Sequence, residues 1–224
     1  MKRALLCIII GILGMGMPLA GQDETGCDSE FTGHDRAKAK NRPPSTGAGY
    51  DVMGAPTPLT LDELFKLTCE LNDQLDDVVS RTADTIPGAE TVKVTVRAYL
   101  LAVRWEKDDN DLHVQIGPEP KWTTGQLVVE IPAGQDFCGP RTAVYNAVAD
   151  DIENNGGNSI RKGHIMRDKI PVEVTGFLFF DASHGATADG CDKNGGRGIK
   201  GTFTDSPVRG LWEIHPVIDV KLVE

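Results

Sequence analysis

The sequence predicts a mainly β protein: an OB-like five-stranded β-barrel with strands and helix in the order β-β-β-α-β-β, preceded by an additional N-terminal helix. Three observations carry this. Five segments from residue 91 onward alternate apolar and polar residues with a period of two. A single helical segment follows the third of them. The first strand is long enough to bend and pair on both of its sides, as such partly closed Greek-key barrels require. An open antiparallel α+β sheet is the alternative. No internal repeat is visible. A domain spanning residues 90–224, about 135 residues, can bury well over half of its unfolded surface.

Residues 1–22 read as a secretory signal. Lys2 and Arg3 precede the apolar run "ALLCIIIGILGMGMPLA", and Ala20 and Gly21 offer a cleavage point before the first acid, Asp23. An uncleaved membrane anchor is the competing reading. Residues 23–58 are rich in Gly, Pro, Ser, Thr and charge. They hold too few apolar groups to offset the entropy of ordering, so a flexible leader is expected.

A helix is expected over residues 59–86. Thr60 and Glu63 form a T-x-x-E capping box, each side chain placed to satisfy an orphan amide of the first turn. Leu61, Leu64, Phe65, Leu71, Leu75, Val78 and Val79 make one apolar stripe, and "ADTIPG" ends it.

The first strand, "TVKVTVRAYLLAVRW", turns Val92, Val94, Val96, Ala98 and Leu100 to one face. "EKDDND" reverses the chain. "LHVQIG" points Leu112, Val114 and Ile116 inward, and "QLVVEIP" does the same with Leu127, Val129 and Ile131. The helix "GPRTAVYNAVADDIENNGG" opens at Pro140 and closes at Asn155-Gly156-Gly157. "IPVEVTGFLFFDASH" is the fourth strand, and a Gly-rich loop at 185–207 leads to the fifth, "GLWEIHPVIDVKLVE". There Trp212, Ile214, Pro216, Ile218, Val220 and Leu222 share the inner face. Glu213, His215, Asp219 and Lys221 share the outer one. Pro216 lacks a backbone donor, which predicts an edge strand or an interruption at that point.

Without the signal the chain carries 21 basic and 33 acidic side chains, a net charge of −12. That disfavours nonspecific nucleic acid and anionic membrane surfaces as partners. The remaining cysteines, Cys27, Cys69, Cys138 and Cys191, are even in number in an exported chain and are disulfide candidates. Two bridges are expected, with three connectivities open. None has the paired spacing of a zinc knuckle or a redox C-x-x-C.

Pleating places His113 and Gln115, Glu130, and the Glu213–His215 pair on the outside of their strands. Asp181 and His184 sit where the fourth strand ends. Together with Arg209 these residues are the candidate binding surface: His113, Glu130, Asp181, His184, Arg209, Glu213 and His215. Trp105 and Trp122 flank it. A polar face with nearby aromatics suits an unidentified protein, peptide or glycan ligand. No cofactor is predicted, but His113, Asp181, His184 and His215 are nitrogen and oxygen donors of the kind that hold a divalent metal. Convergence around a cleft would activate water for a hydrolase, a nuclease among the candidates. The bland alternatives are a cross-strand pair of Glu213 and His215 beside Arg209, and a turn-capping Asp181. Ser183 beside His184 makes no nucleophile elbow. "DGCDKNGGRGIKGT" matches neither a phosphate loop nor a calcium loop, since Arg197 stands where the latter needs glycine.

The strings "VEVTGFLFFDASH" and "RGLWEIHPVIDV" resemble a group of uncharacterised bacterial exported proteins carrying G-x-L-x-x-D-x-x-H followed by W-E-I-H-P. "LHVQI" and "VVEIP" are similar to that group's middle strands. The resemblance covers roughly residues 91–224. It implies a shared fold and a periplasmic or secreted location in the bacterial envelope, and no activity. This chain departs from it in the Gly-rich insertion containing Cys191.

Overall fold

The structure, a computed structural model, describes residues 25–42, 54–72, 75, 85–86, 88–122, 125–182 and 210–223. Six strands form one sheet: β1 (Thr57–Leu59), β2 (Lys93–Trp105), β3 (Leu112–Gly117), β4 (Leu127–Ile131), β5 (His164–Phe180) and β6 (Trp212–Leu222). Their order is β1-β2-β3-β4-β6-β5, and β5 pairs back to β2, which closes β2 to β6 into the five-stranded OB-like barrel. The β4–β6 contact is parallel and the other barrel pairings are antiparallel. The short β1 adds in parallel to Val94–Val96 of β2.

Closure depends on β2. It pairs with β5 from Lys93 to Val103 and with β3 from Tyr99 to Trp105, with a register shift between Leu100 and Ala102 on both sides. Val94, Val96, Ala98 and Leu100 face the core before the shift, and Val103 and Trp105 after it. One extra residue bends the strand and swaps the phase of every side chain that follows.

A second slip occurs at Pro216. Trp212 and Ile214 point inward as the alternation predicts, but the next core residues are Val217 and Val220, while Ile218 is only partly buried and Leu222 is exposed. The cause lies across the ladder, where register shifts flank Gly176. A Cβ at Gly176 would sit 2.4 Å from Ile214 Cγ2 and 2.5 Å from the Pro216 carbonyl oxygen, so only glycine lets the strands meet. Of the two readings of Pro216, the interruption is realised: β6 lies between β4 and β5.

Helix α2 (Leu61–Asn72) starts with the capping box. The Thr60 N–H donates to Glu63 Oε2 at 2.8 Å, and the Glu63 N–H donates to Thr60 Oγ1 at 3.2 Å. Leu61, Leu64, Phe65 and Leu71 join the barrel core. Val78 and Val79 lie outside the described residues. Helix α3 (Cys138–Asn155) packs on β6 and β5 through Val144, Ala147 and Val148 and ends at Gly156, whose φ of 71° suits glycine.

Residues 25–42, expected from composition to be flexible, instead lie as a strap along the outside of the barrel, with the short helix α1 (Ala37–Lys40) near their end. The Cys27–Cys138 disulfide joins the strap to α3. Buried Arg141 donates to the carbonyls of Thr25 and Ile131. Ala39, Arg36, Lys40 and Arg42 are buried. Cys69 sits half-buried on α2, and Cys191 and the signal segment lie outside the described residues. Among the described residues no helix is long and apolar enough to cross a membrane.

Candidate functional site: a buried charged nest beneath the strap

The barrel's outward positions on β3, β4 and β6 meet because the strands are adjacent. His113 is the cross-strand partner of Glu130, and Val129 of β4 sits opposite Ile214 of β6. Alternation therefore brings Glu213 and His215 to the same side as His113 and Glu130. Phe179 of β5 is paired with Glu213 and shares that face. Asp111 lies two residues before His113, in phase with it.

These groups were expected to face solvent, but the strap covers them. His215, Glu213 and Asp111 are 0%, 1% and 1% exposed, and His113 and Glu130 are below 10%. Buried charge demands partners, and the strap supplies several. Arg36 makes a two-pronged ion pair with Glu90 at 2.6 and 2.5 Å and donates to the Phe180 carbonyl at 2.8 Å. Its guanidinium stacks 4.7 Å from the Phe179 ring centre. Arg42 donates to the carbonyls of Glu90 and His215. Lys40 pairs with Asp109 at 2.5 Å. Burial works against the Lys40 charge, but Glu130, Glu213 and Asp109 outweigh it and raise its pKa.

Inside the nest, Glu130 Oε1 is 3.0 Å from His113 Nδ1, and Glu130 Oε2 is 2.9 Å from His215 Nδ1. Glu213 Oε2 lies 3.5 Å from the same His215 nitrogen. Burial opposes charge on His215, but Glu130 and Glu213 overcome it and push the imidazole pKa up to about 9. Burial likewise opposes charge on Glu130, and its two histidine partners hold it well below the ordinary carboxylate range. Asp111 moves the other way, pushed up by burial and by the adjacent Glu130.

Hydrogen bonding in the nest is incomplete. Both oxygens of Asp111, Nε2 of His113 and Nε2 of His215 are buried with no hydrogen-bond partner among the described residues. His215 Nε2 and Asp111 Oδ2 face one another across 3.9 Å. The contact of His215 Nδ1 with Glu130 is close but not aligned as a hydrogen bond. Asp111, Glu130 and His215 each bring one donor atom within 4.8 Å of the other two. Such a set can hold a proton, a water or a cation.

Of the sequence candidates, His113, Glu130, Glu213 and His215 are brought together. Asp181 is buried at the end of β5, its backbone N–H donating to the Leu211 carbonyl, and is not one of the three converging donors. His184 and Arg209 lie outside the described residues, and the basic neighbours seen at the nest come from the strap. Trp105 is not a surface aromatic. It belongs to the core, with the guanidinium groups of Arg141 and Arg161 each 4.9 Å from its ring. Trp122 is half-buried, and Gln115 donates to Gln126. Sequence reasoning missed Asp111, Lys40 and the Arg36–Glu90 pair. The signal for Asp111 was available: Asp111-x-His113 repeats the spacing of Glu213-x-His215. Comparison with protein-family models, curated proteins and solved structures finds no match.

Proposed function

We propose that this chain is an exported, noncatalytic binding module of the bacterial envelope, and that its barrel face encloses a small ligand. The signal-like residues 1–22 and the Cys27–Cys138 disulfide support export. The observation that carries the binding role is the burial of His113, Glu130, Glu213 and His215 in one nest beneath the strap. A protein, glycan or nucleic-acid chain would have to displace the strap with its Arg36–Glu90 pair and Arg42 carbonyl bonds. A ligand of a few atoms needs no such displacement.

The convergence of imidazole and carboxylate groups favours a second reading, a divalent-metal-dependent hydrolase. One experiment separates the two. The mature protein is melted with small cations and anions, and with peptide and glycan polymers, and is assayed for hydrolysis of esters and nucleic acid. The module reading expects stabilisation by a small ligand that is lost in Glu130→Gln, and no turnover. Hydrolysis abolished by His215→Ala would replace it with the hydrolase reading.

A further inference from the structure

We infer that Asp111, Glu130 and His215 are the ligands of a first-row transition-metal centre, zinc by chemical class, closed beneath the strap. The inference rests on the enclosed-ligand reading and names the ligand. Three facts carry it together. The donor atoms of these residues lie within 4.8 Å of one another. Asp111 and His215 are buried, and both Asp111 oxygens and His215 Nε2 have no hydrogen-bond partner among the described residues. The 3.9 Å gap between Asp111 Oδ2 and His215 Nε2 is too long for a hydrogen bond.

Buried polar atoms left unpaired are costly, so a native fold rarely leaves several in one place. An ion in the gap removes the deficit. Zinc sits about 2.0–2.2 Å from imidazole nitrogen and carboxylate oxygen, which puts tetrahedral donors about 3.4 Å apart. Closing Asp111 and His215 by about half an ångström meets that spacing for this pair, and Glu130, whose nearest contact is the other imidazole nitrogen, must swing in from within 4.8 Å to complete the set.

The surrounding charges agree. Lys40 of the strap is paired with Asp109 of the β2–β3 turn and is also within electrostatic reach of Glu130 and Glu213, so the nest sets three acids, Asp111, Glu130 and Glu213, against one ammonium that Asp109 shares. Phe179 closes the β5 side, its ring centre 5.3 Å from that of His215. His113 holds Glu130 from behind through Nδ1, the kind of outer contact that orients a ligating carboxylate. One imidazole with two carboxylates suits zinc and its first-row neighbours. Calcium asks for six to eight oxygens and magnesium for an octahedron of them.

The test uses the full mature chain, stripped with chelator and dialysed in turn against Zn²⁺, Co²⁺, Ca²⁺ and Mg²⁺. Metal content after desalting and the visible spectrum of the cobalt form are the readouts. One zinc or cobalt per chain is expected, with cobalt bands of nitrogen–oxygen ligation. Glu173→Gln, a half-buried carboxylate of β5 paired with Arg97, retains full uptake. Asp111→Asn and His215→Ala lose at least about 10-fold in affinity. The wild-type cobalt spectrum decides without the variants should either fail to fold. A colourless cobalt form, or uptake undiminished in both variants, overturns the inference. Binding of calcium or magnesium alone also overturns it, and leaves the enclosed-ligand reading standing. No cation bound and no melting shift with any small ligand removes both.

Discussion

Replacing Asp151 by Asn tests how the barrel holds its helix. Asp151, near the end of α3, accepts four hydrogen bonds. Its Oδ1 takes Asn155 Nδ2 and the Asp168 N–H, both at 2.9 Å. Its Oδ2 takes His164 Nε2 at 2.7 Å and the Arg167 N–H at 2.9 Å. His164 reaches on to the Asn158 carbonyl at 2.7 Å, so the cluster ties the helix end to the start of β5. An amide presents one acceptor where the carboxylate has two, and turns an NH2 toward two of the four donors. Two bonds lost, at most one of them fully buried, at about 1–2 kcal/mol each predict a cost of about 2–4 kcal/mol. A second route gives a similar scale. Burial would raise the Asp151 pKa, but the Asp168 and Arg167 amides with His164 and Asn155 bring it down from 3.8 to about 2. That shift corresponds to about 2 kcal/mol, or about 1–2 after discounting for solvent screening. Because the folded pKa is depressed, the stabilisation is complete above the unfolded value of about 4 and is lost as pH falls through about 2. Urea unfolding of wild type and Asp151→Asn at pH 7, 4 and 2.5 measures this. The difference should be about 2–4 kcal/mol at pH 7 and shrink steadily toward acid. A difference under about 0.5 kcal/mol at pH 7, or one that does not vary with pH, would refute the reasoning.

Gly176→Ala forces a methyl against Ile214 and the Pro216 carbonyl, and should cost at least about 1–3 kcal/mol in urea unfolding; a neutral outcome would mean that the β5–β6 bulge relaxes freely. Thr60→Ala removes the capping hydroxyl of α2 and should lower stability by about 1 kcal/mol, read as a fall in melting temperature. The Cys27→Ser, Cys138→Ser double variant opens a link between residues 111 apart in sequence. It should lose about 4–5 kcal/mol and admit protease to residues 25–42, whereas unchanged proteolysis would show that Arg36, Lys40 and Arg42 hold the strap unaided.

Period-two alternation made the barrel legible, because a pleated strand shows its burial in its own side chains. It placed Leu112, Val114, Ile116, Leu127, Val129 and Ile131 in the core, where they are. It was right as far as Leu100, short of the bulge at Leu100–Ala102, and it failed past Pro216, because counting residues assumes an unbroken ladder and says nothing of the partner strand's register. The bulge opposite Gly176 is a contact between distant segments. The strap was missed for a related reason. "RAKAKNR" has no apolar stripe of its own, and its burial is supplied by Glu90, Phe177, Phe179 and backbone carbonyls of β5 and β6.

At the site, alternation grouped His113, Glu130, Glu213 and His215 on one face, and that grouping is seen. Exposure was the part it could not read, since the cover comes from another segment. Asp111 escaped attention inside "EKDDND", an acidic turn whose ordinary role is solvation.

The central claim is that the nest beneath the strap holds a metal ion. Anomalous diffraction from crystals of the zinc-loaded mature protein, recorded on both sides of the zinc absorption edge, addresses it most directly. One difference peak is expected within about 2.0–2.2 Å of donor atoms from Asp111, Glu130 and His215. A zinc peak on other residues, or no peak between those three side chains, would contradict it.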